Sequence, residues 1–542
     1  MGVGILDNAL SGLAAFQRSL ETTSNNISNV GTEGYSRQRV DLATRREQYT
    51  GAGWVGNGVA TANITRSYDQ FISNQVRASK SAFGEVDTYH ALASQIDNII
   101  ADPDTGFAPE LKKFFDAAHG VANDPTSVPA RQTLVSEADL LAQNLNTMGT
   151  RFTEMRNQVN QDLGSKLNDI SDYAKSIAEL NVKIAADAGR ASGKQLPNDL
   201  MDQRDLLLNK IAEKVDVSVV DLPDGTASVF IGQGQPLVVG TYASTLTARG
   251  SAEDPFHKDI FLNGQNVTKQ ISGGELAGSL RFRDEVLDPA QQQLGLLAAG
   301  IAIDFNIANQ GGFDLNGAAG GSMFSLSSPQ IPVTSNNSTA GLTATYSGNP
   351  ANLEAEDYRV VVTATIPATT YSLTRVSDGS AVTLPSTNVG FNLNFDGTEA
   401  IGDSFLVRPT YSKSLDITAQ ITDPRKIAAS QTAGGVPGDN RNALKMANFE
   451  TQKKMLGGNA SYSEGYGQLV SQIGTLTHSA QVSQAAQDVL LKQATSAQES
   501  SAGVNLDEEA ANLIKFQNAY QASARIISVV NSMFDSLMGA VR

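Results

Sequence analysis

Four histidines, His90, His119, His257 and His478, are the only imidazoles in this chain of 542 residues, and it contains no cysteine. No two histidines have the i, i+4 spacing that would set a pair of nitrogens on one helical face for zinc. Without thiols there is no disulfide, no thiolate metal site and no cysteine nucleophile. Each histidine is read as a surface or packing residue. No Gly-x-Ser-x-Gly elbow occurs, so nothing local marks a serine nucleophile. Gly51-Ala52-Gly53-Trp54-Val55-Gly56 matches the dinucleotide spacing, which needs a buried strand before it and a helix opening within it. Here polar Gln48-Tyr49-Thr50 precedes and a strand-like Val59 to Thr65 follows, so the run reads as a turn. Gly193-Lys194 lacks the flanking glycine and hydroxyl of a phosphate loop. Asp102-Pro103-Asp104 and Asp314-Leu315-Asn316-Gly317 are oxygen-rich, but neither forms a twelve-residue calcium loop with a closing Glu, and both read as turns or caps. The expectation is a chain that is not an enzyme, with no catalytic residue, no cofactor and no metal.

What the chain does carry is a matched apolar pattern at its two ends. At the N-terminus Leu6, Ala9, Leu13, Phe16, Leu20, Thr23, Ile27 and Val30 fall alternately three and four apart. At the C-terminus Leu513, Phe516, Tyr520, Ser523, Ile527, Val530, Phe534, Leu537 and Val541 do the same. This is the a/d seam of a coiled coil. Either helix alone exposes the seam to water, and burying one such side chain gains roughly 1.5–3 kcal/mol. The ends are expected to pack on each other and on copies of themselves. Thr23 and Ser523 place hydroxyls in the seam, which predicts a weak free pair, largely disordered alone and completed by neighbours. Asn25, Asn26, Ser28 and Asn29 are suited to satisfying the helix end.

Between the ends, length implies several domains. Gly4 to Asn29 reads as a helix and Ser36 to Thr44 with Val59 to Thr65 as a hairpin or long loop. From Ser67 to Lys214 the chain reads as helical, with Pro103, Pro109, Pro125 and Pro129 breaking its early part. A seam from Leu134 to Ile184 predicts a rod of about 55 residues, or about 80 Å at ~1.5 Å per residue, with a bend allowed at Gly149 or Gly164. Val217 to Ile271 alternates and carries the Asp224-Gly225 turn, so it reads as β. Leu280 to Asn309 returns to helix, Gly311 to Thr418 to β with turns at Asp378-Gly379 and Asp396-Gly397, and Tyr466 to the end to helix. The predicted class is α+β multidomain, with paired terminal helices in a coiled-coil or bundle stalk and inserted β-rich domains. Its expected divisions are 1–65 with 500–542, 66–214 with 275–310 and 420–499, 215–274, and 311–419. Forty basic and 56 acidic residues give a net charge of −16, which disfavours nucleic acid and anionic membranes as partners. No stretch suits a membrane span, and no basic segment precedes an apolar core as in a cleaved signal peptide. Absence of cysteine suits export in an unfolded state, or simply lineage bias.

Ser24-Asn25-Asn26-Ile27-Ser28-Asn29-Val30 followed by Gly34-Tyr35-Ser36-Arg37-Gln38 resembles the N-terminal signature of bacterial flagellar axial proteins, the rod, hook and hook-associated family. Asn512 through Arg525 resembles the family's paired C-terminal motif. The Gly-Tyr-Ser-Arg-Gln form, Ser532-Met533-Phe534-Asp535-Ser536-Leu537, Pro197 through Asp205 and Gly438 through Ala443 are similar to its hook–filament junction members. The resemblance implies a structural subunit exported through the flagellar type III apparatus to an extracellular place at the hook tip. Its implied partners are copies of itself in a ring, hook protein, a second hook-associated junction protein, and an export chaperone at the C-terminal helix. Another axial subunit, or an exported enzyme or adhesin with helical tethers, are the alternatives. Within Gly311 to Thr418 no motif is recognised as the family's, and insertions there vary.

Overall fold

The structure is a computed structural model that describes residues 2–49, 51, 53–102, 106–191, 195–252, 254–333, 341–365 and 369–540. Thr50, Ala52, Pro103, Asp104, Gly193, Lys194 and Val541, named above, lie outside the described residues. The helices are α1 (Gly2–Ser28), α2 (Gln70–Ile100), α3 (Phe107–Asn123), α4 (Val128–Arg190), α5 (Asn198–Lys214), α6 (Gly274–Phe282), α7 (Asp288–Gln310), the single turn α8 (Lys413–Asp416), α9 (Arg441–Ala447), α10 (Tyr462–Ala502) and α11 (Leu506–Ala540). Their starts follow local chemistry. The Asp69 carboxylate accepts from the Phe71 and Ile72 amides at the head of α2. Ser127 caps α4 ahead of Pro129, and Ser461 with Glu464 forms a capping box on α10.

Helix α4 runs 63 residues, about 95 Å at ~1.5 Å per residue, longer than its pattern predicted. Every seam residue from Leu134 to Ile184 is buried. The helix continues through Gly149 and Gly164. At Gly149 the missing side chain admits α8: an added Cβ would stand 2.6 Å from Ser414 Oγ, and Asn146 Nδ2 donates to the Ser414 carbonyl at 2.7 Å. The helix expected from Leu280 begins at Gly274 and passes through a wide π turn, Arg283–Leu287. There the Asp288 amide reaches back to the Arg283 carbonyl. The wide turn accommodates the Pro289 ring, which has no amide proton and crowds the carbonyl four residues back in a regular helix.

Strands 217–221, 227–231, 235–239 and 242–243 form an antiparallel meander, and 246–250, 258–262 and 265–266 a second sheet. Their inner residues, among them Val229, Ile231, Val238 and Ile260, join the same apolar cluster as α4 and α7. The later β segment has a core of its own, including Tyr358, Val360, Phe391, Phe405 and Val407. Its central strand, 358–364, lies between 370–375 and 404–407, while 342–346 pairs with 391–395.

A chain of charges, buried at Arg408, Asp357, Asp254 and Arg156 and half-buried at His257 and Asp288, joins this second β core to the helical body. Tyr358 pairs with Val407, which sets Asp357 and Arg408 side by side at the root of the insertion. Arg408 Nε is 2.9 Å from Asp357 and Nη1 is 2.8 Å from Asp254. His257 Nε2 is 2.9 Å from Asp288, which Arg156 Nη2 meets at 2.7 Å. Burial pushes the Asp357 carboxyl up to about 6 despite Arg408. Asp288 is held well below the usual carboxylate range by Arg156 and His257, which outweigh its burial. The fold is α+β and multidomain, as the pattern implied.

Candidate functional site

Helix α1 lies antiparallel along α11, with Gly12 facing Ser523 and Asn26 meeting Glu509. The contact is narrow. Its α1 face consists of Ala9, Gly12, Ala15, Ser19, Thr22, Thr23 and Asn26, all buried, small residues that let two backbones approach closely. Glu509, Ser523 and Val530 are the buried positions on the matching side. The two polar breaks in the predicted seam, Thr23 and Ser523, therefore sit at the close contact. Ser523 Oγ donates to the Ala519 carbonyl within its own helix.

The larger seam residues lie to the side of this line. Leu6, Leu13, Phe16, Leu20, Ile27, Leu513, Phe516, Tyr520 and Ile527 are half-buried. Val30, Phe534 and Leu537 are 47, 52 and 65% exposed.

At the C-terminal end of α1 the chain turns back and the motif residues converge. The Asn29 amide donates to the Asn25 carbonyl, and Asn29 Nδ2 to Asn25 Oδ1 at 2.9 Å, so the helix end is satisfied locally. Gly34 adopts φ +79° against Leu206, whose Cβ would lie 3.1 Å from an added side chain. That turn folds Tyr35 onto the helix. The Tyr35 hydroxyl donates to Asn26 Oδ1 at 2.8 Å, and Asn25 Nδ2 reaches the same hydroxyl at 3.4 Å. Burial and the carboxylates of Asp199, Asp202 and Glu509 push the Tyr35 phenol up to about 12, so it remains a protonated donor.

Asn26, 2% exposed, is the hub. Its Oδ1 also accepts from the Gln38 amide at 2.9 Å, while its Nδ2 donates to the Gln38 carbonyl at 2.9 Å and to Glu509 Oε2 at 3.2 Å. Arg37 completes the tie to α11, with Nε 2.7 Å from Glu509 and Nη1 2.8 Å from Glu508. The Arg37 amide donates to the Ala502 carbonyl at the end of α10. The Ser36 amide donates to Asp202 and Gln38 Nε2 to Asp199. Arg66 stands 2.8 Å from Asp202 and 2.6 Å from Asp205. Burial raises the Asp202 carboxyl, against the pull of Arg66 and the Ser36 amide. One polar lock thus binds both chain ends to each other and to α5.

The motif residues Asn25, Asn26, Asn29, Gly34, Tyr35, Ser36, Arg37 and Gln38 are brought together here. Glu508, Glu509 and Arg66 were not singled out from the sequence, and the acids of α5 stood in the Pro197–Asp205 motif without an assigned partner. The available signal was the i, i+3, i+6 spacing of Asp199, Asp202 and Asp205, which lines acids along α5 opposite a basic segment. The Gly438–Ala443 motif is a second staple: Asn442 Nδ2 donates to the Ala308 and Ala428 carbonyls and Asn440 Nδ2 to that of Ala122. Among the described residues no cluster of three metal-ligating side chains occurs, and no helix is long and apolar enough to cross a membrane.

Paired terminal helices, a long helical body and inserted β cores are the architecture of a structural subunit of the axial type that the terminal motifs resemble. Family profiles agree along the chain. The flagella basal body rod protein profile matches residues 6–35 and the flagellar basal body rod FlgEFG C-terminal profile residues 497–540. The flagellar hook-associated protein FlgK helical domain matches residues 93–324 and the hook-associated protein 1 D2-like domain residues 332–409, so the family likeness extends into the later β segment, where no motif stood out from the sequence. Flagellar hook-associated protein 1 of Escherichia coli K12 is 33% identical, covering 98% of this chain and 99% of its own. The Bacillus subtilis protein of the same name is 23% identical, covering 99% and 98%. The structure of the flagellar hook junction protein FlgK from Burkholderia pseudomallei superposes with a TM-score of 0.70 at 26% identity, covering 79% of this chain and all of that one. The chain belongs to the flagellar hook-associated protein 1 family and is a structural component of the flagellum, serving motility.

Proposed function

We propose that this chain joins hook to filament as the first junction subunit, assembling at the hook tip as a ring of its own copies. Hook protein lies below it and a second hook-associated junction protein above. It travels unfolded through the flagellar type III apparatus, attended by an export chaperone on its C-terminal helix, and it has no enzymatic role. The terminal unit is 1–65 with 500–542 and the stalk 66–214 with 275–310 and 420–499. The segment 215–274 is a β-rich domain and 311–419 a distal β-rich insertion. The observation that carries this reading is the seam: apart from Val530, its large apolar residues among those described remain half-buried or exposed after α1 and α11 have paired, so further copies are needed to cover them. Ile527→Asp places a charge in that seam outside every core of the helical body. Cells carrying it should form hooks without filaments and release filament protein into the medium, while the purified variant keeps a normally folded body. Normal filaments would refute the role of the seam.

A further inference from the structure

The hairpin between α1 and α2 ends in an aromatic pair that none of the described residues covers. Its two long strands, 38–44 and 59–66, run beside α1, and its base is fastened there. Asn8 Nδ2 donates to the Gly56 carbonyl at 3.4 Å and the Val59 amide to Ser11 Oγ at 3.2 Å. Beyond that base Tyr49 stands opposite Trp54 and Gln48 opposite Val55, with the two ring centroids 5.6 Å apart. Trp54, the chain's single tryptophan, is 69% exposed, Tyr49 62% and Val55 51%. Such side chains anchor interfaces because they bury a large area at little rotamer cost. The exposed side chains of Arg45 and Arg46 beside them have no ion-pair partner among the described residues.

The α1–α11 pair offers the complementary surface. Ile526, Val529, Met533 and Leu537 fall at i, i+3, i+7 and i+11, forming an exposed apolar stripe that α1 does not cover. Near the stripe the pair carries Asp7 and Asp535, both exposed and without an ion-pair partner among the described residues, beside the single base Arg525. Height matches as well. Because Gly12 faces Ser523 in an antiparallel pair, the fastening point at Asn8–Ser11 stands beside about residues 524–527, level with Ile526 at the near end of the stripe. A head-to-tail contact between copies standing side by side in a closed ring needs two different patches at one height.

We propose that the Tyr49–Trp54 tip of each copy docks on the Ile526–Leu537 stripe of α11 in the next copy, with Arg45 and Arg46 meeting the acids of that helix pair. The proposal rests on the ring assembly proposed above and adds the patch that closes it. Because the chain has no cysteine, Val55→Cys introduces a single thiol, and Gln48→Cys on the facing strand provides a second probe position should the first disturb assembly. In isolated flagella, maleimide should label the thiol of the Val55→Cys chain at least tenfold more slowly than in the free secreted chain. A benzophenone attached there should yield an adduct of two copies of this chain, mapped by mass spectrometry to residues 526–537. Unchanged labelling, an adduct to a different protein, or a two-copy adduct elsewhere on the chain would overturn the docking. Adding Ile527→Asp separates the two readings: if that double variant enters flagella with the introduced thiol still protected, the seam argument fails while the tip contact stands. Absence of the wild-type chain from flagella would overturn both.

Discussion

Asn26→Ala is the most informative perturbation of the polar lock. The amide makes two contacts to the Gln38 backbone, one to the Tyr35 hydroxyl and one to the Glu509 carboxylate, at 2.8–3.2 Å. Neutral hydrogen bonds contribute about 1 kcal/mol each and one to a charged group about 1.5–3 kcal/mol. Tyr35 and Gln38 are only half-buried, so water entering the vacated space restores part of this. The net cost is about 3 kcal/mol, on the order of a 100-fold change in a local opening equilibrium. Because the chain is multidomain, a single global unfolding free energy is not the right readout. Hydrogen exchange at the Gln38 amide reports the lock itself. The variant should raise that exchange about 100-fold and leave α4 protected. A change below threefold would refute the hub role of Asn26 and with it the lock.

Gly34→Ala forces a side chain into a left-handed turn against Leu206 and should destabilise the same lock by about 1–2 kcal/mol, read as faster exchange at Gln38 with no change in α4. Asp357 has a folded-state carboxyl raised to about 6, so the folded insertion takes up a proton more readily than the unfolded chain. The stability it contributes is present below pH ~3.8 and lost as pH rises through about 6. Asp288, shifted the other way, contributes above the ordinary carboxylate value and loses its effect only at still lower pH. The unfolding temperature of the insertion should therefore fall between pH 4 and 6 in the wild type. Asp357→Asn should flatten that slope and unfold at an equal or higher temperature at pH 7. Retention of the slope would refute the assignment.

The helices were legible because their burial is local and periodic. The α4 seam from Leu134 to Ile184 needs only one-dimensional spacing to be seen, and all of it is buried. The terminal seam was legible as a pattern but not as a contact. The 3-4 spacing marks which side of α1 is apolar, whereas the line of closest approach is set by size, and it runs through Ala9, Gly12, Ala15 and Ser19. Thr23 and Ser523, predicted weak points, are among the most buried positions of the pair because a small side chain is what a close crossing requires. The lock was half legible. Asn26 and Arg37 stood out as motif residues, but Glu509 is 483 residues from Asn26, and pairings at that separation leave no local spacing to read. The Asp254–Arg408–Asp357 bridge is hidden for the same reason.

The lock and the unfinished seam together predict a gradient of order in the free chain. Hydrogen exchange measured on the secreted monomer and on isolated flagella tests this directly. In the monomer the Gln38 amide and residues 509–515 should be protected by the lock, while residues 4–15 and 520–540, beyond it and short of partners, exchange fast. In flagella all of these should be protected. Full protection of 520–540 in the free monomer, or no gain on assembly, would contradict the claim that neighbouring copies complete the seam.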